Sequence, residues 1–84
     1  MRIELSSQAE KQLRKLKPNR ELYHRLQAAL DEIAIKPDLG KLLGGGFQGV
    51  RSLRIGDWRI LYEVYRGQMR ILVVRIAHRR EVYR

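Results

Sequence analysis

The 84-residue chain carries 18 Lys and Arg against nine Asp and Glu, a net charge of +9, with 44% hydrophobic and 32% charged residues and no cysteine. This composition excludes a disordered tail, and the missing thiols exclude a disulfide framework or a thiolate metal site, so packing or a bound partner must stabilise the fold. The length predicts one domain over residues 1–84, and the absence of an apolar run of about 18 residues or of a signal-type N-terminus predicts a cytoplasmic protein with no membrane contact.

The first element is read from Arg2 to Leu5, where Ile3 and Leu5 alternate with polar residues as in a short strand. Ser7 and Glu10 have the spacing of a capping box, which predicts a helix whose apolar positions are Ala9, Leu13 and Leu16. Pro18 and Asn19 interrupt it. A second helix follows, with Leu22, Leu26, Ala29, Leu30 and Ile33 on one stripe and Pro37 as its stop. Helices this short need packing, so they are expected as a hairpin on a sheet. Residues 37 to 49, with Gly44, Gly45 and Gly46, read as a connecting loop, since the pattern of a phosphate-binding P-loop is absent.

From Val50 the period changes to two. Strands are predicted at about 50 to 55, 58 to 65 and 69 to 77, turning at Gly56-Asp57 and Arg66-Gly67-Gln68. The fold class is therefore α+β, β-α-α-β-β-β, with an antiparallel sheet and a helical hairpin packed on one face. Alternation assigns Leu53, Ile55, Trp58, Ile60, Tyr62, Val64, Leu72, Val74 and Ile76 to the inner face. Ser52, Arg54, Arg59, Glu63 and Arg75 go to the outer face, so three arginines from adjacent strands should converge there.

Charge is unevenly placed. Residues 1–50 hold nine basic and six acidic residues (net +3), whereas residues 51–84 hold nine arginines, no lysine and three acidic residues (net +6). Arginine's planar fork matches phosphate bidentately and stacks on bases, which points to a polyanion partner, RNA first, ahead of a merely solvated basic face.

Three segments carry a family resemblance: Leu53-Arg54-Ile55-Gly56-Asp57-Trp58-Arg59-Ile60-Leu61-Tyr62, the apolar strand Ile71 to Ile76, and Ala77-His78-Arg79-Arg80-Glu81-Val82-Tyr83-Arg84. Together they resemble the RelE/ParE superfamily of type II toxin–antitoxin toxins. The ending Glu81-Val82-Tyr83 is similar to the RelE branch, which the resemblance implies is an mRNA interferase acting in the ribosomal A site and neutralised by a cognate antitoxin. The alternatives are a gyrase-directed ParE-like toxin without nuclease activity and a non-catalytic RNA-binding module.

The RelE reading implies metal-independent, cofactor-free cleavage, in which a ribose 2′-hydroxyl attacks the adjacent phosphorus. By resemblance, Arg59 and Arg79 are the phosphate clamps with Arg54 in support, and Tyr83 stacks on or orients a base. Arg51, Arg75, Arg80 and Arg84 complete the expected RNA-contacting set. Relatives place lysines on the second strand, where this chain has Val50, Arg51 and Ser52, so His78 is the candidate general acid or base. The bland readings are that His78 caps the sheet, Arg75 is a solvated outer-face residue, Tyr83 packs on the core, and Glu63 pairs with Arg59 or Arg75. Trp58 and Tyr62 read as core and His24 as a surface residue.

Overall fold

The computed structural model describes every residue except Gln48, Tyr83 and Arg84. In chain order the elements are strand β1 (Arg2–Leu5), helices α1 (Ser7–Lys15) and α2 (Arg20–Ile35), strands β2 (Lys41–Leu42), β3 (Val50–Ile55), β4 (Trp58–Tyr65) and β5 (Arg70–His78), and a short helix α3 (Arg79–Val82). The strands form one sheet in the order β1-β5-β4-β3-β2. The α+β class and the helical hairpin on one face are as expected from the sequence.

Three details differ from the sequence reading. First, the sheet is mixed: β1 runs parallel to β5, from Arg2 beside Arg70 to Leu5 beside Val73, while the other pairs are antiparallel. A parallel neighbour needs a crossover, and the α1–α2 hairpin together with the meander supplies it. Second, the glycine-rich connector contains a strand of its own, β2, whose Lys41 and Leu42 pair with Ser52 and Arg51. Two residues are too short to display alternation.

Third, the helix cap is Ser6, not Ser7. Ser6 Oγ accepts from the Ala9 N–H at 3.1 Å, which makes Ser7 the first helical residue and removes Glu10 from the capping-box position. The same hydroxyl donates to the Val74 carbonyl at 2.7 Å, and the Ser6 N–H donates to Val73 O at 2.9 Å. One residue thus ends β1, starts α1 and pins β5.

The pin sits on a β-bulge. Leu61 pairs with Arg75 but Tyr62 pairs with Val73, so Val74 is an extra residue in β5. The insertion shifts the inward set before it by one position. Ile71, Val73 and Ile76 are fully buried in the core, where Leu72, Val74 and Ile76 were expected. They pack with Ile60 and Tyr62 against Ala9 and Leu13 of α1 and Leu26, Ala29, Leu30 and Ile33 of α2, the stripes read from the sequence.

Tyr62 brings a polar group into this core. Its hydroxyl accepts from the Gly40 N–H and donates to the Pro37 carbonyl, both at 2.7 Å, tying the segment after α2 to the sheet. A Cβ at Gly40 would lie 2.7 Å from that oxygen, so glycine is required by the close approach. Burial pushes the Tyr62 hydroxyl above its ordinary value of 10.0, against smaller opposing effects of the Gly40 N–H and the Arg51 charge.

Candidate nucleic-acid interface

The face of the sheet turned away from the helices is built in rows set by the register. One row reads Arg54, Arg59 and Ala77 across β3, β4 and β5. The next reads Lys41, Ser52, Leu61 and Arg75 across β2 to β5. Directly opposed residues project to the same side, so Arg54, Arg59 and Arg75 do converge on one face. Because the bulge restores the phase beyond Val74, Arg75 keeps its outward direction.

At the centre of these rows lie small or apolar side chains: Ser52 is 6% exposed, Leu61 5% and Ala77 0%. Long cationic side chains surround this floor. The arrangement is a shallow basic surface with a closed base, and α3 borders it by packing on β4 and β5. Arg54 and Arg59 are direct cross-strand partners, which sets two arginines side by side on this face.

The neighbouring polar contacts order the rim. Arg54 Nε donates to Gly56 O at 2.9 Å. The Arg79 N–H donates to Asp57 O at 2.7 Å, and its Nε lies 3.8 Å from Asp57 Oδ1, so Arg79 stands at the sheet end beside the β3–β4 turn. That turn uses Gly56 at φ +61, a left-handed conformation suited to glycine. Arg75 Nη2 is 3.9 Å from Glu81 Oε2 of α3. Glu63 accepts from the Tyr65 hydroxyl at 3.3 Å, and so is occupied on its own strand. At the opposite end of the sheet the positive charge is compensated, with Arg2 2.9 Å and Arg70 4.0 Å from the Glu4 carboxylate.

Two expected site residues lie elsewhere. Arg51 pairs with Tyr62 on the helix-facing side. Its Nη1 donates to Gly40 O at 2.8 Å and its Nη2 is 3.3 Å from Asp38 Oδ1, so it fastens the same segment as Tyr62 and is not part of the outer face. His78 pairs with Trp58, again on the helix-facing side, and stacks edge-on against the indole with centroids 5.5 Å apart.

There His78 lines an open cleft of about 370 Å³ with Arg25, Ile55, Asp57 and Trp58. Its Nδ1 accepts from the Arg80 N–H at 3.3 Å, which leaves the proton of the neutral ring on Nε2. The sheet separates this imidazole from Arg54, Arg59 and Arg75. The candidate general acid or base of the sequence reading thus stands on the helix-facing side, apart from the outer-face arginines. Arg80 is exposed on α3, and Tyr83 and Arg84 lie outside the described residues.

The family model described as "ParE toxin of type II toxin-antitoxin system, parDE" matches residues 3–83. The chain belongs to this ParE toxin family. The superfamily resemblance read from the β3–β4 hairpin and the C-terminal segment is thereby borne out. The toxin RelE of Mycobacterium tuberculosis (strain ATCC 25618 / H37Rv) is 39% identical over 46 residues, which is 55% of this ParE-family chain and 47% of that toxin. The chain thus spans about half the length of the curated relative it matches.

In the RelBE2 toxin–antitoxin complex of the same organism, a chain is 28% identical with a TM-score of 0.69, over 92% of this chain and 95% of that one. The YoeB/ParE toxin of Agrobacterium tumefaciens superposes with a TM-score of 0.80 at 18% identity, over 93% and 98% of the two chains, a likeness of fold.

Sequence reasoning placed Ser52 on this face but missed Lys41 opposite it. No periodic signal was available for Lys41, because β2 exists only through its pairing with β3. Among the described residues no helix is long and apolar enough to cross a membrane.

Proposed function

We propose that this ParE-family chain is an mRNA interferase: an endoribonuclease toxin that cuts mRNA in the ribosomal A site and is held inactive by a cognate antitoxin. The observation that carries this reading is the convergence of Arg54, Arg59 and Arg75 from three strands around the buried floor of Ser52, Leu61 and Ala77. A cationic ring over a closed base suits a phosphodiester drawn out of solution, and guanidinium forks stabilise the extra negative charge of a pentacoordinate phosphorus. In this mechanism the 2′-oxygen attacks phosphorus, the 5′-oxygen leaves, and a cyclic phosphate remains. Arg59 and Arg54 hold the phosphate, Arg79 reaches it from the sheet end, and Arg75 anchors the adjoining backbone.

Support from relatives is of two kinds: the match to toxin RelE, and the similarity to a chain of a RelBE2 toxin–antitoxin complex. The antitoxin is expected to present acidic or amphipathic segments that cover the arginines. The ParE name of the family raises a second reading, a gyrase-directed toxin, which the matches to RelE chains do not favour. Primer-extension mapping after brief induction separates the two. Cuts within translated codons are expected; intact messages with accumulated DNA breaks would establish the gyrase reading instead.

A further inference from the structure

We infer that Lys41 is the proton donor of the cleavage reaction, an assignment that rests on the ribonuclease reading above. The requirement arises from the outer face itself. Departure of the 5′-oxygen needs a proton, and a guanidinium does not release one in a protein, so Arg54, Arg59 and Arg75 cannot supply it. His78 is on the other side of the sheet. Glu63 lies in a separate row, opposite Val50 and Leu72, and accepts from Tyr65.

Lys41 is placed to do this. It stands directly opposite Ser52 on β2, in the row that continues through Leu61 to Arg75. It is exposed, and among the described residues its ammonium makes no hydrogen bond or ion pair. Strands lie about 4.8 Å apart and residues two apart in a strand about 6.8 Å. From the register, the Lys41 Cα is therefore about 8 Å from that of Arg54 and about 12 Å from that of Arg59. Extended lysine and arginine side chains span separations of this size.

A second observation points to the same spot. Ser52 Oγ is buried and, among the described residues, has no hydrogen-bond partner. A buried hydroxyl without a partner is unusual, and here it lies beneath the point where the cations converge. It marks a polar point in the floor between Lys41 and Leu61. Lys41 then faces the bridging 5′-oxygen, while the arginines hold the non-bridging oxygens.

The 2′-oxygen–phosphorus bond forms as the 2′ proton passes to a solvent water. The phosphorus–5′-oxygen bond breaks, and Lys41 Nζ gives its proton to the departing 5′-oxygen. A 2′,3′-cyclic phosphate and a 5′-hydroxyl result, and the neutral amine takes a proton back from solvent. The lysine thus reaches the site from a different strand than the one on which relatives place theirs.

The test uses single-turnover cleavage of a short mRNA in programmed ribosomes, with either oxygen or sulfur as the bridging 5′ atom at the mapped cut. A thiolate leaves without a proton. Lys41→Ala and the charge-retaining Lys41→Arg are expected to slow the oxygen message by 10²-fold or more, in the range of general acid catalysis, and to cut the sulfur message within about threefold of wild type. Arg59→Ala stays slow on both messages, and Lys41→Arg keeps RNA affinity within about threefold by anisotropy.

Wild-type rates for both Lys41 variants on the oxygen message overturn the assignment. An equal loss on both messages also does so, since it indicates binding or positioning alone. If wild-type protein cuts neither message, the ribonuclease reading itself fails and the assignment falls with it.

Discussion

Replacing Ser6 by alanine removes two hydrogen bonds that no other described side chain makes. The Ala9 N–H loses its cap, which costs about 1 kcal/mol (range roughly 0.5–2). The Val74 carbonyl, at the bulge, loses its donor at 2.7 Å, and a part-buried acceptor left without a partner costs about 1–2 kcal/mol more. The sum is about 2–3 kcal/mol. For a domain of this size each kcal/mol lowers the Tm by about 4–8 °C, so a fall of about 10–20 °C is expected.

Thermal unfolding followed by circular dichroism measures it. Two further variants resolve the parts. Ser6→Asp can accept from the Ala9 N–H but, ionised, cannot donate to Val74 O, and should recover only the capping share, about 1 kcal/mol. Ser7→Ala, at the exposed first helical position, should change stability by less than about 0.5 kcal/mol. A Ser6→Ala protein melting within about 2 °C of wild type, or a Ser7→Ala protein falling as far as Ser6→Ala, would refute this account of the β1–α1 junction and the bulge.

Other outcomes follow from the same geometry. Tyr62→Phe leaves the buried Gly40 N–H without an acceptor and should cost about 1–3 kcal/mol, measured by urea unfolding. Because folding raises the Tyr62 pKa above 10.0, its neutral hydroxyl contributes fully below pH 10.0; wild-type stability should fall more steeply than that of Tyr62→Phe as pH rises past that value. Arg59→Ala and Arg79→Ala should each lose at least about 10²-fold in cleavage while keeping wild-type circular dichroism, and normal cutting by both would displace the proposed phosphate site. Arg51→Ala should lower the Tm yet leave RNA affinity within about threefold, because its contacts are with Gly40 and Asp38. Titrating a short single-stranded RNA against salt should give a log–log slope of about −2 to −3 for three or four phosphates, made shallower by about 0.7 in Arg54→Ala.

Much of the architecture was legible in the sequence because its signals are local. Helical spacing in Leu22, Leu26, Ala29, Leu30 and Ile33 and alternation in Trp58 to Val64 each follow from burying one face of one element, so both stripes reappear in the core. The positions of β1, β3, β4 and β5 were also local, as was the concentration of arginine after residue 50. Arg54, Arg59 and Arg75 could be assigned a common face, since every second residue of a strand points the same way.

What alternation cannot register is an inserted residue. The bulge at Val74 is stabilised by Ser6, 68 positions away, and it alone decides that Ile71 and Val73 are inside while Arg75 remains outside. The parallel placement of β1 beside β5 likewise depends on contacts between the two ends of the chain.

The site was divided in the same way. Sequence alone determined that this protein carries a surplus of arginine suited to a polyanion, and which strand residues could share a face. Tertiary structure decided the faces and neighbours: it turned Arg51 and His78 to the helix side and brought Lys41 opposite Ser52. The physical reason is that a residue's side of a sheet follows from its strand's own period, whereas its neighbours across the sheet follow from register, which only the folded chain fixes.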